Sequence, residues 1–394
     1  MKIGLVSPYD WSTPGGVNRH VGRIALEFEA QGHSVRVMAP ASEPVADSLV
    51  EVMGRPTPVP ASGSTARIAL GPRLGQRVKD FLREQQFDIV HVHEPLMPVL
   101  PIQVLRHVKA ANERSVVVGT FHARKDGGSR LYEYLRPLLK RWYRELDGKI
   151  AVSPPAAQYV GTYFPGFYNI IPNGLDIERF ADPSLEPVAE FDDSTINILY
   201  VGRAEKRKGL TYLIQAFAVV NAQDPHTRLI VVGPDSQRRR RYESSVRNNG
   251  QRDIHFVESP SDEELPRYYR TADIFCTPAL GHESQGYVIL EAMAGGAPVV
   301  ASNIEGYASV VTHGVDGLLV RPKDELALAR TLTELVQDER QRRKLAAGGR
   351  ARVEHYSWPR VTQQVLSYYE RLRDTQETWE QARARGRLRR LMRA

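Results

Sequence analysis

One stretch of the chain carries most of the chemistry-bearing residues: Gly281-His282-Glu283-Ser284-Gln285-Gly286-Tyr287-Val288-Ile289-Leu290-Glu291-Ala292-Met293-Ala294-Gly295-Gly296. Glu283 stands in a glycine-bearing loop, and Glu291 follows after seven intervening residues, inside an apolar run that reads as a helix. A helix starting at Gly286, Tyr287 and Val288 offers backbone N–H groups that no carbonyl of its own helix can satisfy, and those groups suit an anion. Ser284 adds a hydroxyl beside them. Carboxylates on either side of such an anion accept from neutral hydroxyls, Glu283 near a sugar and Glu291 near a ribose.

Three further features suit the same chemistry. Arg203 and Lys208 flank a loop after an apolar strand, where a guanidinium fork and a point charge can meet a diphosphate. Gly15-Gly16 lies between a strand and its helix, so missing side chains let the backbone approach a phosphate; a plain tight turn is the competing reading. His122 ends the strand-like Val116-Val117-Val118-Gly119-Thr120-Phe121, where a hydrogen-bonding or general-base role and a structural one both remain open. His91 and His93 share one face of a strand, but no Asp/His cluster with ligand spacing accompanies them, so packing is the preferred reading. The arginine run Arg238–Arg241 reads as the solvated start of a helix.

The elements that must position these groups are strands alternating with helices. Ile3–Val6, Val35–Met38, Ile89–Val92, Val116–Gly119 and Ile150–Val152 read as buried strands. Between the first two, Val17, Val21, Ile24, Ala25 and Phe28 recur at helical spacing and stop near Gly32. After the Pro/Asp-rich segment 182–194 the pattern restarts with Ile196–Val201, Leu229–Val232, Ile274–Cys276 and Val299–Ala301. This is an α/β chain with two doubly wound, parallel-sheet domains, and ligands of such sheets bind beyond the carboxyl ends of the strands, here in an interdomain cleft.

Composition narrows the class. The 394 residues suit two domains, with 42% hydrophobic and 25% charged residues, as in ordinary globular chains. No apolar run is long enough to span a bilayer, and the single Cys276 excludes an internal disulfide and fits a reducing cytoplasm. The net charge is +7, but six arginines and no acid lie in 383–394, which leaves the body at +1. A basic tail on a near-neutral body suits an anionic surface better than nucleic acid. Neither the GxGxxG fingerprint nor a P-loop is present, which opposes a dinucleotide-dependent oxidoreductase. No DxD-type carboxylate pair is placed to hold a metal.

Taken in order, Pro14-Gly15-Gly16-Val17, Asp88-Ile89-Val90-His91-Val92-His93, Thr120-Phe121-His122, Ile171-Pro172-Asn173-Gly174-Leu175-Asp176, Gly202-Arg203 with Lys208-Gly209, and Glu283 with Glu291 resemble family 4 of the retaining GT-B glycosyltransferases. The resemblance runs from Met1 to about Tyr369. Within that family it is nearest the bacterial phosphatidylinositol mannosyltransferases, on Val59-Pro60, Gly63-Ser64-Thr65-Ala66-Arg67, Gly71-Pro72 before a basic helix, and His93-Glu94-Pro95. It implies a GT-B fold of two Rossmann-like domains, 1–174 for the acceptor and 175–357 for the nucleotide sugar. A C-terminal helix, about 358–381, would return to the first domain ahead of a basic tail, 382–394.

The resemblance also implies roles. Arg203 and Lys208 would stabilise the departing diphosphate, Glu283 would bind the donor sugar and Glu291 the ribose. Gly16 would approach the phosphate, with Ser284, Gly286, Tyr287 and Val288 lining the donor site, and His122 would lie where donor sugar and acceptor meet. The donor would be GDP-mannose, with a UDP-hexose as the alternative, and no cofactor or metal would be required. The acceptor would be a membrane lipid, phosphatidylinositol-like or another glycerolipid, approached at the cytoplasmic face of the plasma membrane, with Arg67, Arg73, Arg77 and Lys79 on the acceptor and membrane side. The residues Leu74, Val78, Phe81 and Leu82 form an apolar stripe on that basic helix. Where the mannosyltransferases carry a Tyr-Asn pair near the inositol ring, this chain has Ala61-Ser62, and Gln285 replaces an aromatic residue. A soluble inositol or sugar phosphate is therefore the competing acceptor, and a non-catalytic membrane-binding protein on the same scaffold is the competing class.

Overall fold

In the computed structural model the described residues are 1–13, 15–61, 64–69, 71, 73–124, 128–233 and 236–391; the side chains of 59–61, 64–68, 236–238 and 383–391 are outside the description. Pro14, Ser62, Gly63, Pro72 and the Arg67 side chain, all used above, thus lie outside it. The chain divides into two units. The first takes Met1–Ala123, the segment ending at Asn173, and Trp358 onward; the second takes Gly174–Ser357.

The first unit runs β1 (Lys2–Val6), α1 (Gly16–Ala30), β2 (Ser34–Ala39), β3 (Val50–Val52), the antiparallel hairpin β4 (Pro56–Ala61) and β5 (Ser64–Ala69), α2 (Leu74–Gln85), β6 (Ile89–His93), α3 (Leu100–Ala111), β7 (Val116–Phe121), α4 (Arg130–Tyr143), β8 (Gly148–Ala151), α5 (Pro154–Tyr163) and β9 (Asn169–Ile170). Its sheet has the order β3-β2-β1-β6-β7-β8-β9, all parallel. The strands are nearly continuous runs of Val, Ile and Leu because helices cover both faces. On one face Val78 and Leu82 of α2, Val104 and Leu105 of α3, Leu139 of α4 and Val160 of α5 share one core. On the other, Val21, Ile24 and Phe28 of α1 pack with Val361, Val365 and Tyr369 of the C-terminal helix.

The second unit runs α6 (Ile177–Ala181), β10 (Ile196–Val201), α7 (Leu210–Gln223), β11 (Thr227–Val232), α8 (Ser236–Asn248), β12 (Ile254–Val257), α9 (Leu265–Thr271), β13 (Ile274–Thr277), α10 (Tyr287–Gly295), β14 (Val299–Ser302), α11 (Glu305–Ala308), β15 (Leu318–Val320), α12 (Glu325–Gln337) and α13 (Glu339–Val353). Its parallel sheet has the order β12-β11-β10-β13-β14-β15. The chain then enters α14 (Trp358–Leu391), which continues as helix through the arginine-rich segment up to Leu391, where the sequence reading ends it near residue 381.

Both sheets reverse their strand order once, between β1 and β6 in the first unit and between β10 and β13 in the second. The loops after those four strands therefore flank a switch point, where an open parallel sheet offers a ligand site.

Candidate functional site

In the second unit the loop after β10 and the loop after β13 are locked together. Gly209 adopts φ +74, and a Cβ there would collide with the Pro278 carbonyl, so only glycine allows this approach. The Leu280 N–H donates to the Arg207 carbonyl at 2.7 Å. This brings a 3₁₀ turn, Lys206–Lys208, against Glu283. Arg207 Nη1 lies 2.5 Å and Lys208 Nζ 2.8 Å from Glu283 Oε1, and the Glu283 side chain is only 12% exposed. Arg207 also bonds Glu205 at 2.8 Å. Burial works against its charge, and the Glu283 and Glu205 carboxylates outweigh that cost and raise its pKa.

Lys208 and Glu283, both singled out from the sequence, meet here, and Arg203 joins the cluster through Glu205 without reaching Glu283. It is 66% exposed and pairs with Glu205 at 3.1 Å. The guanidinium beside Glu283 belongs to Arg207, which the sequence reading passes over because Arg203 occupies the more familiar place next to the glycine.

The helix N-terminus stands where the sequence places it. Gly286 caps α10 with φ +79, and a Cβ on it would press on the Tyr307 ring. The first-turn N–H groups of Tyr287 and Val288 begin the helix there, beside Ser284. Glu291, one turn further, is buried and accepts from the Tyr269 hydroxyl at 2.7 Å. Burial first, and then that carboxylate, push the Tyr269 phenol well above its ordinary pKa. Gly306 at the start of α11 lies so close to the Glu283 carbonyl that a Cβ would overlap it.

In the first unit four histidines, His20 of α1, His91 and His93 of β6 and His122 after β7, gather together. His122 Nδ1 is 3.1 Å from Asn173 Oδ1, and its Nε2 is 2.9 Å from His93 Nδ1. With the amide oxygen accepting, Nδ1 of His122 carries its proton and Nε2 accepts from His93; this tautomer follows from the bonding pattern. His93 stacks on His91 at 4.3 Å, and His91 bonds Tyr369 and Thr120, each at 2.6 Å. His20 of α1 fits edge-on against His93 and His122, with ring centroids 5.3 and 5.1 Å away. Burial lowers all four pKa values, His122 to about 4 and His91 to about 3, so these rings are neutral at pH 7. His122 is thus a neutral ring with both nitrogens engaged, by Asn173 and His93.

Ring nitrogens of His20, His93 and His122 lie within 4.8 Å of one another, close enough to meet at one metal ion. The sequence reading finds no such cluster because His20 comes from a different element some 70 residues upstream. The bond between His93 and His122 already engages one nitrogen of each.

Glu94 underlies this cluster. Its backbone is left-handed, φ +48, and its buried carboxylate accepts from the backbone N–H groups of His122 at 2.7 Å and Ala123 at 2.8 Å. Burial raises its pKa to about 6 against the opposing effect of those two bonds.

Gly15 caps α1, and Gly16 is its first residue. Neither has a positive φ, and a Cβ on either meets nothing within 4 Å. The turn itself therefore does not require glycine at either position. Asp10 braces that loop by accepting from Ser42 and Thr13.

The basic helix α2 departs from expectation. Leu74, Val78 and Leu82 are buried in the core and Phe81 packs on Phe87 at 6.0 Å, so the apolar stripe is not available to a lipid. Arg73 and Arg77 are exposed, Arg77 pairs with Glu51 at 2.7 Å, and Lys79 is half-buried.

Two switch-point sheets with a cation-carboxylate cluster, a helix N-terminus and a strand-end histidine define a GT-B glycosyltransferase. Residues 14–179 match the family model Glycosyltransferase Family 4, and residues 183–352 match Glycosyl transferases group 1. The chain belongs to this glycosyltransferase family. It is 33% identical to a phosphatidyl-myo-inositol mannosyltransferase of Mycobacterium leprae over 94% of this chain and 96% of that relative. The same named enzyme of Mycolicibacterium smegmatis is also 33% identical, over 94% of each chain. Among solved structures, a glycosyltransferase from Rickettsia africae covers 94% of this chain and 98% of its own, with a TM-score of 0.75 at 19% identity, which bears on the fold alone.

Proposed function

We propose that the protein is a retaining, metal-independent hexosyltransferase that moves a hexose, mannose by preference, from a nucleotide diphosphate sugar to a membrane lipid, phosphatidylinositol or another glycerolipid. The observation that carries this reading is the identity of 33% along 94% of the chain to enzymes named for that transfer. GDP-mannose is the favoured donor and a UDP-hexose the alternative.

In this reading Lys208 and Arg207 take up the charge that develops on the departing diphosphate, together with the α10 N-terminus. Preorganised donors of this kind typically account for ~3–4 kcal/mol each. Glu283 holds those cations in place and accepts from donor-sugar hydroxyls, and Glu291 faces the ribose. The backbone at Gly16 approaches the phosphates, and neutral His122 orients the reacting hydroxyl. The protein would work peripherally at the inner face of the plasma membrane; among the described residues no helix is long and apolar enough to cross a bilayer.

The test is transfer from GDP-mannose or UDP-glucose to phosphatidylinositol vesicles, to another glycerolipid and to inositol phosphate, with the anomeric configuration of the product read by NMR. A labelled glycolipid with the donor's configuration, formed equally in EDTA, is the expected result. Labelling of inositol phosphate alone would reassign the acceptor, and activity lost in EDTA and restored by magnesium would reassign the chemistry.

A further inference from the structure

Helix α4 has two apolar faces, and only one of them is used by the fold. Tyr132, Leu139 and Tyr143 are buried in the first unit's core. Leu131, Tyr134, Leu135 and Leu138 recur at i, i+3, i+4 and i+7 and face solvent, with exposures of 40, 77, 40 and 59%. These are four of the eleven large hydrophobic residues exposed among the described residues, gathered within eight positions. Isolated exposed leucines need no explanation, but a continuous stripe does. Trp142, on the same side one turn further, is partly buried with the Arg141 guanidinium 5.0 Å above its ring.

The stripe is bordered by cations. By helical spacing Arg130 and Arg141 lie along the edge of the stripe away from the buried face, while exposed Arg136 and Lys140, with the single acid Glu133, lie on the opposite side of the helix. The helix therefore carries a net charge of +3. We infer that the solvent face of α4 is a docking surface for an anionic phospholipid bilayer, the leucines and Tyr134 entering the acyl boundary and Arg130 and Arg141 meeting lipid phosphates. A basic helix with an exposed apolar stripe is suited to lying in the plane of that boundary. A second copy of the chain fits worse, since symmetric pairing of this face would bring two +3 helices together.

The neighbouring layer agrees. α2 packs on α3 and α3 on α4 over the same face of the sheet. Exposed Arg83 of α2, and Arg73 that caps it, thus belong to the same helical layer as the stripe. The division of labour answers the loss of α2 as an insertion element: α2 contributes cations, and α4 contributes the apolar contact. Each cation close to an anionic surface strengthens attachment and makes it sensitive to salt.

This inference deepens the lipid-acceptor reading, and its test is independent of transfer. The full chain would be sedimented with vesicles of phosphatidylcholine alone or with 30% phosphatidylglycerol, about a third acidic lipid. Wild type should bind the acidic vesicles and be released by salt. The double variant Leu135→Ser/Leu138→Ser, at exposed positions that leave the core intact, should lose binding at least about tenfold, while the melting shift with GDP stays unchanged. A Leu138→Cys variant carrying an environment-sensitive dye should shift to the blue on acidic vesicles; the native Cys276 is buried and escapes the label.

Equal sedimentation of wild type and double variant would overturn the surface, as would equal binding to neutral vesicles. A wild-type dimer that the double variant converts to monomer, with no vesicle binding, would assign the face to self-association instead. Vesicle binding through α4 in a protein that glycosylates only inositol phosphate would uphold the docking surface and remove the lipid-acceptor reading.

Discussion

The Glu94 carboxylate accepts the backbone N–H of His122 at 2.7 Å, so the residue just after β6 fixes the chain just beyond β7. It does so from a left-handed backbone and in a buried site that disfavours its own charge. Strain and desolvation of this sort persist where the surroundings over-determine a geometry, and here the geometry is that of the His122 loop.

Glu94→Gln should separate charge from position. The amide oxygen can still accept from His122 and Ala123, so turnover should stay within a few-fold, whereas Glu94→Ala should lower it strongly by freeing both N–H groups. A carboxyl whose folded pKa is raised, from 4.5 to about 6, contributes stability that is present below 4.5 and lost as pH rises through 6. At pH 7.5 the Gln variant should therefore be as stable as wild type or more stable by up to about 2 kcal/mol. Melting temperatures from pH 4 to 8 check this, and a variant less stable than wild type across that range would contradict it.

The histidine cluster should act in the opposite direction. Neutral buried rings with folded pKa values lowered to about 4 for His122 and about 3 for His91 contribute stability that is present above 6.5 and lost as pH falls through the folded values. Each uncoupled ring removes ~1.4 kcal/mol per pH unit below 6.5. Four rings outweigh one carboxyl, so the melting temperature of the wild type should fall steadily from pH 6.5 to 4.5. A flat profile there would mean that the rings are not held neutral.

The cations around Glu283 should rank by geometry. Lys208→Ala and Arg207→Ala each remove a group at the carboxylate and should lower turnover by ~10²–10³. Arg203→Ala removes an exposed side chain paired with Glu205 and should cost less than tenfold. Kinetic constants for the three variants decide the order; a larger loss at Arg203 than at Arg207 would restore the assignment made from the sequence.

Gly306→Ala tests how Glu283 is placed. The glycine has no positive φ, so alanine suits the α11 backbone, but its Cβ overlaps the Glu283 carbonyl. The Glu283 loop must move, and turnover should fall at least tenfold while the melting temperature drops only modestly. Unchanged turnover would show that the loop position is not critical.

The long buried strands were legible because both faces of a parallel sheet are covered, so Ile196–Val201 reads as strand whatever surrounds it. The short β3 and β12 escaped because their few partly covered residues carry no period, and β15 because three residues are too few to show one. In the site, Glu283, Lys208, Gly286 and His122 were legible from local patterns. Arg207, Glu94 and His20 were not, because their roles arise from which loops a switch point brings together. The exposed face of α4 was also hidden: Leu131, Tyr134, Leu135, Leu138 and Leu139 look alike along the chain, and only packing shows which are spent on the core.

The arginine-rich end supplies the last prediction. α14 is anchored through Trp358, Val361, Val365 and Tyr369, all buried, whereas the positive segment begins at Arg383, several turns beyond that anchor. The stability of such a helix comes mainly from its packed face upstream. Deleting 383–394 should therefore leave the melting temperature within about 1 °C, since the buried anchor at Trp358, Val361, Val365 and Tyr369 is kept. It should weaken sedimentation with acidic vesicles severalfold, each cation near the surface contributing ~1 kcal/mol at most. Combining the deletion with Leu135→Ser/Leu138→Ser should abolish sedimentation, since the electrostatic and apolar contributions would both be gone. A truncated protein that sediments as well as wild type at every salt concentration would remove the basic end from membrane attachment and leave α4 and α2 to provide it.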